Sequence, residues 1–569
     1  MKVYLLTSIL CFAISNVLAA NEFVLLHNND MHGRFEQVSA TSGTCWKELA
    51  AKNLCYGGFA RVANIVRKFR NESEVIYLNA GDTFTGTIWF TVFRAKIAAA
   101  FMNILSPDAM CLGNHEFIDG EKGLFDFLDL VEFPVLAANI NFRGEQPPQS
   151  LRNSHVIQLN GTKVGIIGAV TPQTRFLSNT KFVNFTDEVE AINKESKKLT
   201  AEGIKIIIAL VHSGFTTDKI VALNCPEVDI VVGGHTNTFL SNNSSAPHGH
   251  PEKIEGNYPT IITQKSGRQV YVVQAAAFTK YIGKATVKFD DEGELIHFEG
   301  QPILLDSSIP QDQDVLELLN TYRPKITELE NEHLATTKVT LEGGKICRKR
   351  ECIIGNILTE AMVYSRVKIH SLSNNSWTDS SIAFYNGGGI RSAIELQGPL
   401  TSGNVMTGLP FQSRLYMVEV HGSTILKALE HSAEVFTSSA AGGFLQMYGA
   451  KVVYNMNSTV GQRVSEVLLL CSECDIPKYE KLQEEKKYKI IITDFLHNGG
   501  DKYVFKEKDN QHYIDLSITD SDVFIDFVRD QKILYPTLDG RISFTSAGIT
   551  LQSNCFVIIV ITLAWSFFQ

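Results

Sequence analysis

Short, mostly apolar runs that end in polar residues of metal-binding type constrain this chain more than any other feature. Phe23 to Leu26, Val75 to Leu78, Ile204 to Val211 and Val228 to Val232 each have the length and character of a buried strand. They are closed by Asp30-Met31-His32, Gly81-Asp82, His212 and Gly234-His235-Thr236-Asn237, and Leu112-Gly113-Asn114-His115-Glu116 has the same character. Strand ends in an α/β sheet lie along one edge, where loops present side chains from a fixed backbone. Taken alone, an Asp-x-His or a Gly-Asp is usually a turn, and a histidine after a strand is usually a hydrogen-bonded loop residue. Gly-Asn-His-Glu is rarer, and the ordered recurrence of such motifs at strand ends points to one site. Its imidazole, carboxylate and amide donors, with no thiolate, suit zinc, manganese or iron.

Phosphate esters are anionic and resist attack by water. Two cations about 3.5 to 4 Å apart activate a hydroxide and hold the phosphoryl oxygens. Asp82 is the expected bridge, with Asp30 and His32 on one ion and Asn114, His212 and His235 on the other; Asn237 is a further candidate for the first. His248 and His250 sit among Ser, Asn, Pro and Gly and read as residues of a solvated loop outside the site.

At 569 residues the chain is too long for one core, so two domains are expected. A hydrophobic content of 44% with 20% charge is that of a folded globular protein. The net charge of −9 gives no support to nucleic-acid binding, so an anionic substrate must be drawn by local cations. Residues 1–20 read as a cleaved secretory signal, with Lys2, an apolar run, and Ala19 and Ala20 at its end. The apolar run Cys555 to Phe568 is too short for a comfortable span and is preceded by Ser546, Ala547 and Gly548. It reads as a GPI-attachment signal over 546–569, with Ser546 as the anchored residue and the cell surface as the destination. Cys11 and Cys555 fall in these segments. Cys347 with Cys352, Cys471 with Cys474 and Cys45 with Cys55 are candidate disulfides, and the pairing of Cys111 and Cys225 is open. Sequons at Asn71, Asn160, Asn184, Asn242, Asn243, Asn374 and Asn457 fit a glycosylated surface protein.

Over nearly its whole mature length the chain resembles the ecto-5'-nucleotidase family, which includes the apyrases of blood-feeding arthropods. The motifs above match that family's dinuclear zinc site. In the second half the matching segments are Cys347-Arg348-Lys349-Arg350-Glu351-Cys352, Asn386 to Arg391, Leu409-Pro410-Phe411 and Asp494 to Asp501. The resemblance implies an α/β fold. It comprises an N-terminal calcineurin-like metallophosphoesterase sandwich of sheets flanked by helices (21–311), a linker helix (312–332) and a C-terminal α/β substrate domain (333–545). The linker carries apolar residues at helical spacing from Val315 to Leu329 and is expected to break at Pro324. The resemblance also implies a domain rotation about that linker, homodimerisation, and a further disulfide replaced here by Thr359 and Ala383.

The implied nucleotide pocket consists of Arg348, Asn386, Arg391, Phe411, Phe495 and Asp501, and the chemistry agrees. The arginines offer planar forks of donors to phosphate or ribose oxygens. Phe411 and Phe495 can sandwich a base, with stacking worth about 1 to 3 kcal/mol. Asp501 can accept from ribose hydroxyls, and the glycines after Asn386 admit close backbone approach. His115 is the catalytic candidate, able to donate to a phosphoryl oxygen or the departing alkoxide. The family pairs that histidine with an Asp three residues on; here Ile118 stands there and Asp119 follows, so the carboxylate has either moved by one residue, making Asp119 the candidate partner, or been lost. The function expected is hydrolysis of AMP to adenosine and phosphate with two divalent ions, zinc first. The alternatives are an apyrase acting on ATP and ADP, which the anchor signal disfavours, and a surface nucleotide-binding or adhesion protein without turnover, suggested only by Ile118.

Overall fold

The computed structural model describes residues 21–545 apart from 41, 44, 46, 145, 160, 179, 181, 244, 248–249, 251, 371–375, 395–396, 437–441 and 507–512. The expected leader and anchor signal, His248 and the sequons at Asn160 and Asn374 lie outside the described residues.

The strands Asn21–Asn28, Val75–Asn79 and Ala109–Cys111 run parallel in the middle of a seven-stranded sheet, with Val24 opposite Val75 and Leu78 opposite Ala109. A second sheet of six strands is centred on Thr162–Val170, Ile206–His212 and Ile230–Gly233, also parallel, with Val211 opposite Gly233. The two sheets pack face to face. Phe23, Leu25, Ile76 and Leu78 meet Ile166, Ile208, Leu210 and Val231 in the core between them. Val24, Leu26, Val75 and Tyr77 point the other way, into a core shared with the helices Phe59–Glu72, Ile88–Leu105 and Gly120–Leu130. Burial on both faces explains why these strands read as continuous apolar runs without alternation.

Ile88–Leu105 is long and apolar enough to cross a membrane, but 61% of it is buried inside the protein, as in a core helix. It is interrupted at Arg94, whose φ of 52° and ψ of −142° are not helical. The helix Gln313–Glu330 stands between the two halves, capped by Asp312, which accepts from the Val315 amide. The break expected at Pro324 does not occur. The helix runs through it because Val315, Leu319 and Ile326 anchor one face in the first core, and proline removes only one N–H from the ladder.

The second half is built on a five-stranded sheet in the order Leu445–Tyr448, Ile382–Asn386, Lys487–Thr493, Arg414–His421, Tyr513–Thr519. Helices Ile353–Ile369 and Asp520–Gln531 cover one face, and Gly422–Val435 with a four-stranded sheet covers the other. The fold is thus the expected two-domain α/β architecture. Disulfides join Cys45 to Cys55, Cys347 to Cys352 and Cys471 to Cys474, whereas Cys111 and Cys225 are buried free thiols.

Candidate metal centre and nucleotide pocket

The loops that follow the parallel strands bring the expected ligands together. The ligand atoms of His32, Asp82 and His115 lie within 4.8 Å of one another, as do those of Asp82, His212 and His235, so Asp82 belongs to both groups. Asp82 Oδ2 is 3.0 Å from His212 Nε2, 3.8 Å from His115 Nε2 and 3.9 Å from His32 Nε2, and Asp30 Oδ1 is 3.8 Å from His32 Nε2. The imidazoles are oriented from behind. His32 Nδ1 donates to the Phe84 carbonyl at 3.2 Å and His212 Nδ1 to that of Ala80 at 2.6 Å, which turns each Nε2 inward. Asp30, His32, Asp82, His235 and Asn237 all have positive φ, between 48° and 77°. For residues other than glycine this costs about 1 to 3 kcal/mol each and concentrates at functional sites.

The site has the orphan atoms a cation would satisfy. Among the described residues, Asp30 Oδ1, Asn114 Oδ1, His235 Nδ1 and Asn237 Oδ1 are buried without a hydrogen-bond partner, and His212 Nε2 faces only Asp82 Oδ2, at 3.0 Å. Burial pulls the His235 imidazole down to about 3, and burial with Arg391 nearby holds His32 well below its ordinary range. These rings are neutral, as ligands must be. Burial also opposes charge on His212, but Asp82 and Asp30 outweigh it and drive its pKa up. Burial likewise opposes charge on Asp82, yet His212 and His115 keep it well below the usual carboxylate range. The donor set and its unpartnered lone pairs fit divalent ions.

Asp119 does not orient His115. Its Oδ1 accepts from Arg94 Nη1 at 3.2 Å, and His115 Nδ1 is buried with no partner among the described residues, so the His115–Asp119 alternative is corrected: that pairing is not formed. The reason is local: Asp119 stands at the N-cap position of the helix Gly120–Leu130, where its side chain makes no capping bond and turns to Arg94. His115 is 12% exposed, and burial lowers its pKa to about 4. It stacks instead on Phe411 of the second half, with centroids 5.7 Å apart and planes 15° from parallel. His250, expected in a solvated loop, is 7% exposed; it packs edge-on to Tyr56 and 3.7 Å from Glu252, apart from the ligand groups.

The second domain closes the site. Arg391 Nη2 donates to His32 Nε2 at 3.3 Å, and its guanidinium lies 5.6 Å from the Phe411 ring centroid. Burial, and then Arg348, bring the Arg391 pKa down to about 9, which still leaves it cationic at neutral pH. Asn386 Nδ2 donates to Asp501 Oδ2 at 3.1 Å, joining two of the expected pocket residues. Gly389 and Gly500 are required by packing: a Cβ would stand 2.5 Å from the Tyr385 and Phe495 rings respectively. The disulfide loop carrying Arg348 is held by buried Gln446, which donates to the carbonyls of Cys347 and Arg350 at 2.8 Å and accepts from the Cys352 amide.

Comparison with known proteins agrees with this geometry. Residues 23–239 match the calcineurin-like phosphoesterase family and residues 333–507 match the 5'-nucleotidase C-terminal domain. The chain is 42% identical to the 5'-nucleotidase of Mus musculus, covering 93% of this chain and 92% of that one. The chain belongs to the 5'-nucleotidase family. It is also 39% identical to the snake venom 5'-nucleotidase of Gloydius brevicauda, over 96% of this chain and 92% of the other. The crystal structure of a 5'-nucleotidase precursor from Thermus thermophilus superposes with a TM-score of 0.82 at 33% identity, covering 92% of this chain and 99% of that one. This 5'-nucleotidase family member is therefore a metal-dependent phosphoesterase with a two-domain α/β fold.

Sequence reasoning missed several residues that build the family's site here. Glu116 is fully buried, and its two oxygens accept from the amides of Asp82, Thr83, Phe84 and Gly113 at 2.7 to 3.1 Å. Its place in Gly-Asn-His-Glu was the only signal. Gln274 donates to Asp218 Oδ2 at 2.6 Å and to the Gly234 carbonyl at 3.2 Å, and accepts from the Thr238 amide at 3.1 Å, bracing the loop of His235 and Asn237. Asp218 and Gln274 are 56 positions apart, and nothing local announced them.

Proposed function

We propose that this protein is an extracellular, cell-surface 5'-nucleotidase that hydrolyses nucleoside 5'-monophosphates, chiefly AMP, to the nucleoside and phosphate. The observation that carries the reading is the contact of Arg391 with His32 and of Phe411 with His115. Residues suited to grip a nucleotide thus abut the ligand groups directly, a short span that favours one phosphate over two or three. Disulfides support an oxidising compartment.

Asp30 and His32 would hold one divalent ion, Asn114, His212 and His235 a second, and Asp82 both, with Asn237 adding to the first. Zinc is the expected metal, and when bound such a pair supplies an activated water and charge stabilisation for phosphoryl transfer. The protein's own groups do the rest. Arg391 and Arg348 steady the phosphoryl and ribose oxygens, Phe411 and Phe495 take the base, and Asn386 and Asp501 hold the ribose. Water adds to phosphorus, the bond to the 5'-oxygen breaks, and the nucleoside leaves carrying a proton. His115, neutral in its buried setting, can donate one N–H to a phosphoryl oxygen or to that leaving oxygen.

Phosphate release from AMP, ADP and ATP, each with and without a chelator, tests the reading. AMP is expected to be the best substrate, with turnover lost on chelation and restored by zinc. Faster release from ADP or ATP would make the protein an apyrase, and no release from any of them would leave a binding protein.

A further inference from the structure

Arg94 is the one non-helical residue inside Ile88–Leu105, and its backbone turns the guanidinium toward the second domain. One arm donates to Asp119 Oδ1 at 3.2 Å and the other to Gln412 Oε1 at 2.8 Å. Gln412 also has positive φ, at 51°, so both partners across the domain boundary hold a backbone conformation that side chains disfavour. The same helix holds the preceding residues: Thr91 Oγ1 shares its proton between the Thr87 carbonyl at 3.2 Å and the Pro410 carbonyl at 3.3 Å, and Met406 packs against the first core. Phe411 stands between these two anchored residues and stacks on His115. Asp119 is available for this role because it makes no bond to His115.

We propose that Arg94 is a positioning residue for nucleotide hydrolysis: by bridging Asp119 and Gln412 it fixes Phe411 at the spacing from His115 that suits a nucleoside monophosphate. The inference rests on the 5'-nucleotidase reading above. A planar fork can hold two acceptors at once, which a lysine ammonium does less rigidly. With the clasp open, the loop Pro410 to Gln412 loses its fixed register, and substrates that need base and phosphate held together suffer most.

The test is steady-state kinetics of the full zinc-loaded protein on AMP and on p-nitrophenyl phosphate, which has neither base nor ribose. Arg94→Met and Gln412→Leu are each expected to lower kcat/KM for AMP by about tenfold, mainly through KM, with p-nitrophenyl phosphate unchanged within about twofold. The double variant should be no worse than either single one, because both remove the same contact. Asp119→Asn keeps an acceptor oxygen and should stay within about threefold of the unmodified protein. Equal loss on both substrates, or no loss on either, overturns the proposal. Unmodified protein that cleaves p-nitrophenyl phosphate but not AMP refutes the substrate reading instead. The positioning role is then decided by adenosine binding in a calorimeter, which Arg94→Met must weaken by about fivefold or more for the proposal to stand.

Discussion

Asp82 concentrates the chemistry of this site in one side chain. It is shared by both ligand groups, its Oδ1 accepts from the His115 amide at 2.8 Å, and its own amide donates to Glu116. No space is left beside it: a Cβ at Gly113 would fall on the Asp82 carboxylate. In the second domain the titrating residue of interest is Asp501. Burial raises its carboxyl to about 6 against the pull of Arg348. Above that pH it is ionised and, in the proposed pocket, a strong acceptor for ribose hydroxyls; below it the proton weakens that capacity. The KM for AMP is therefore expected to rise as pH falls through about 6, and Asp501→Asn, uncharged throughout, should flatten that acid limb at a lower kcat/KM. A limb unchanged in the variant assigns the titration to another group.

Between elements, the site is a set of loops tied to one another more than to their own strands. Glu116 joins the loop after Val75–Asn79 to the loop after Ala109–Cys111 through four backbone amides. Glu116→Gln keeps the shape but turns an NH2 toward amide donors, so two buried N–H groups lose an acceptor. The expected cost is about 2 to 4 kcal/mol of stability, read as a lower thermal midpoint. Metal affinity should fall about 10- to 100-fold in a chelator competition, because the displaced loop carries Asp82. A variant that melts early yet binds metal as before would confine Glu116 to a structural role.

The whole molecule divides the work between its halves. Every candidate metal ligand comes from the first domain, and Arg348, Asn386, Arg391, Phe411, Phe495 and Asp501 come from the second. The linker helix belongs physically to the first: Phe93 meets Tyr322 with centroids 4.8 Å apart, Arg323 lies 4.7 Å from the Trp89 ring centroid, and Arg323 and Trp89 both bond Glu36. A fragment of residues 21–332 should accordingly fold better than one ending before the helix, which would expose Val315, Leu319 and Ile326. That fragment is expected to bind zinc and cleave p-nitrophenyl phosphate while losing about 100-fold or more in kcat/KM for AMP. AMP hydrolysis at the rate of the full chain would mean that the second domain is not the nucleotide grip.

The motifs at the ends of apolar runs were legible in the sequence because ligand chemistry is carried by residue type, and strand ends share an edge whatever the rest of the fold does. Burial of the strands on both faces was legible in the same runs, whereas the two-sheet sandwich was implied only by the resemblance to the family. The short disulfides were equally local. What side chains turn toward was not. Asp119 bonds Arg94, 25 positions earlier, and Arg94 also reaches Gln412, 318 positions later. His250 is buried against Tyr56, and Pro324 is carried through its helix by packing on the first core. Spacing along the chain decided which donors this protein owns. Only packing between distant segments decided which of them meet, because a side chain's direction is set by the neighbours that exclude water from it.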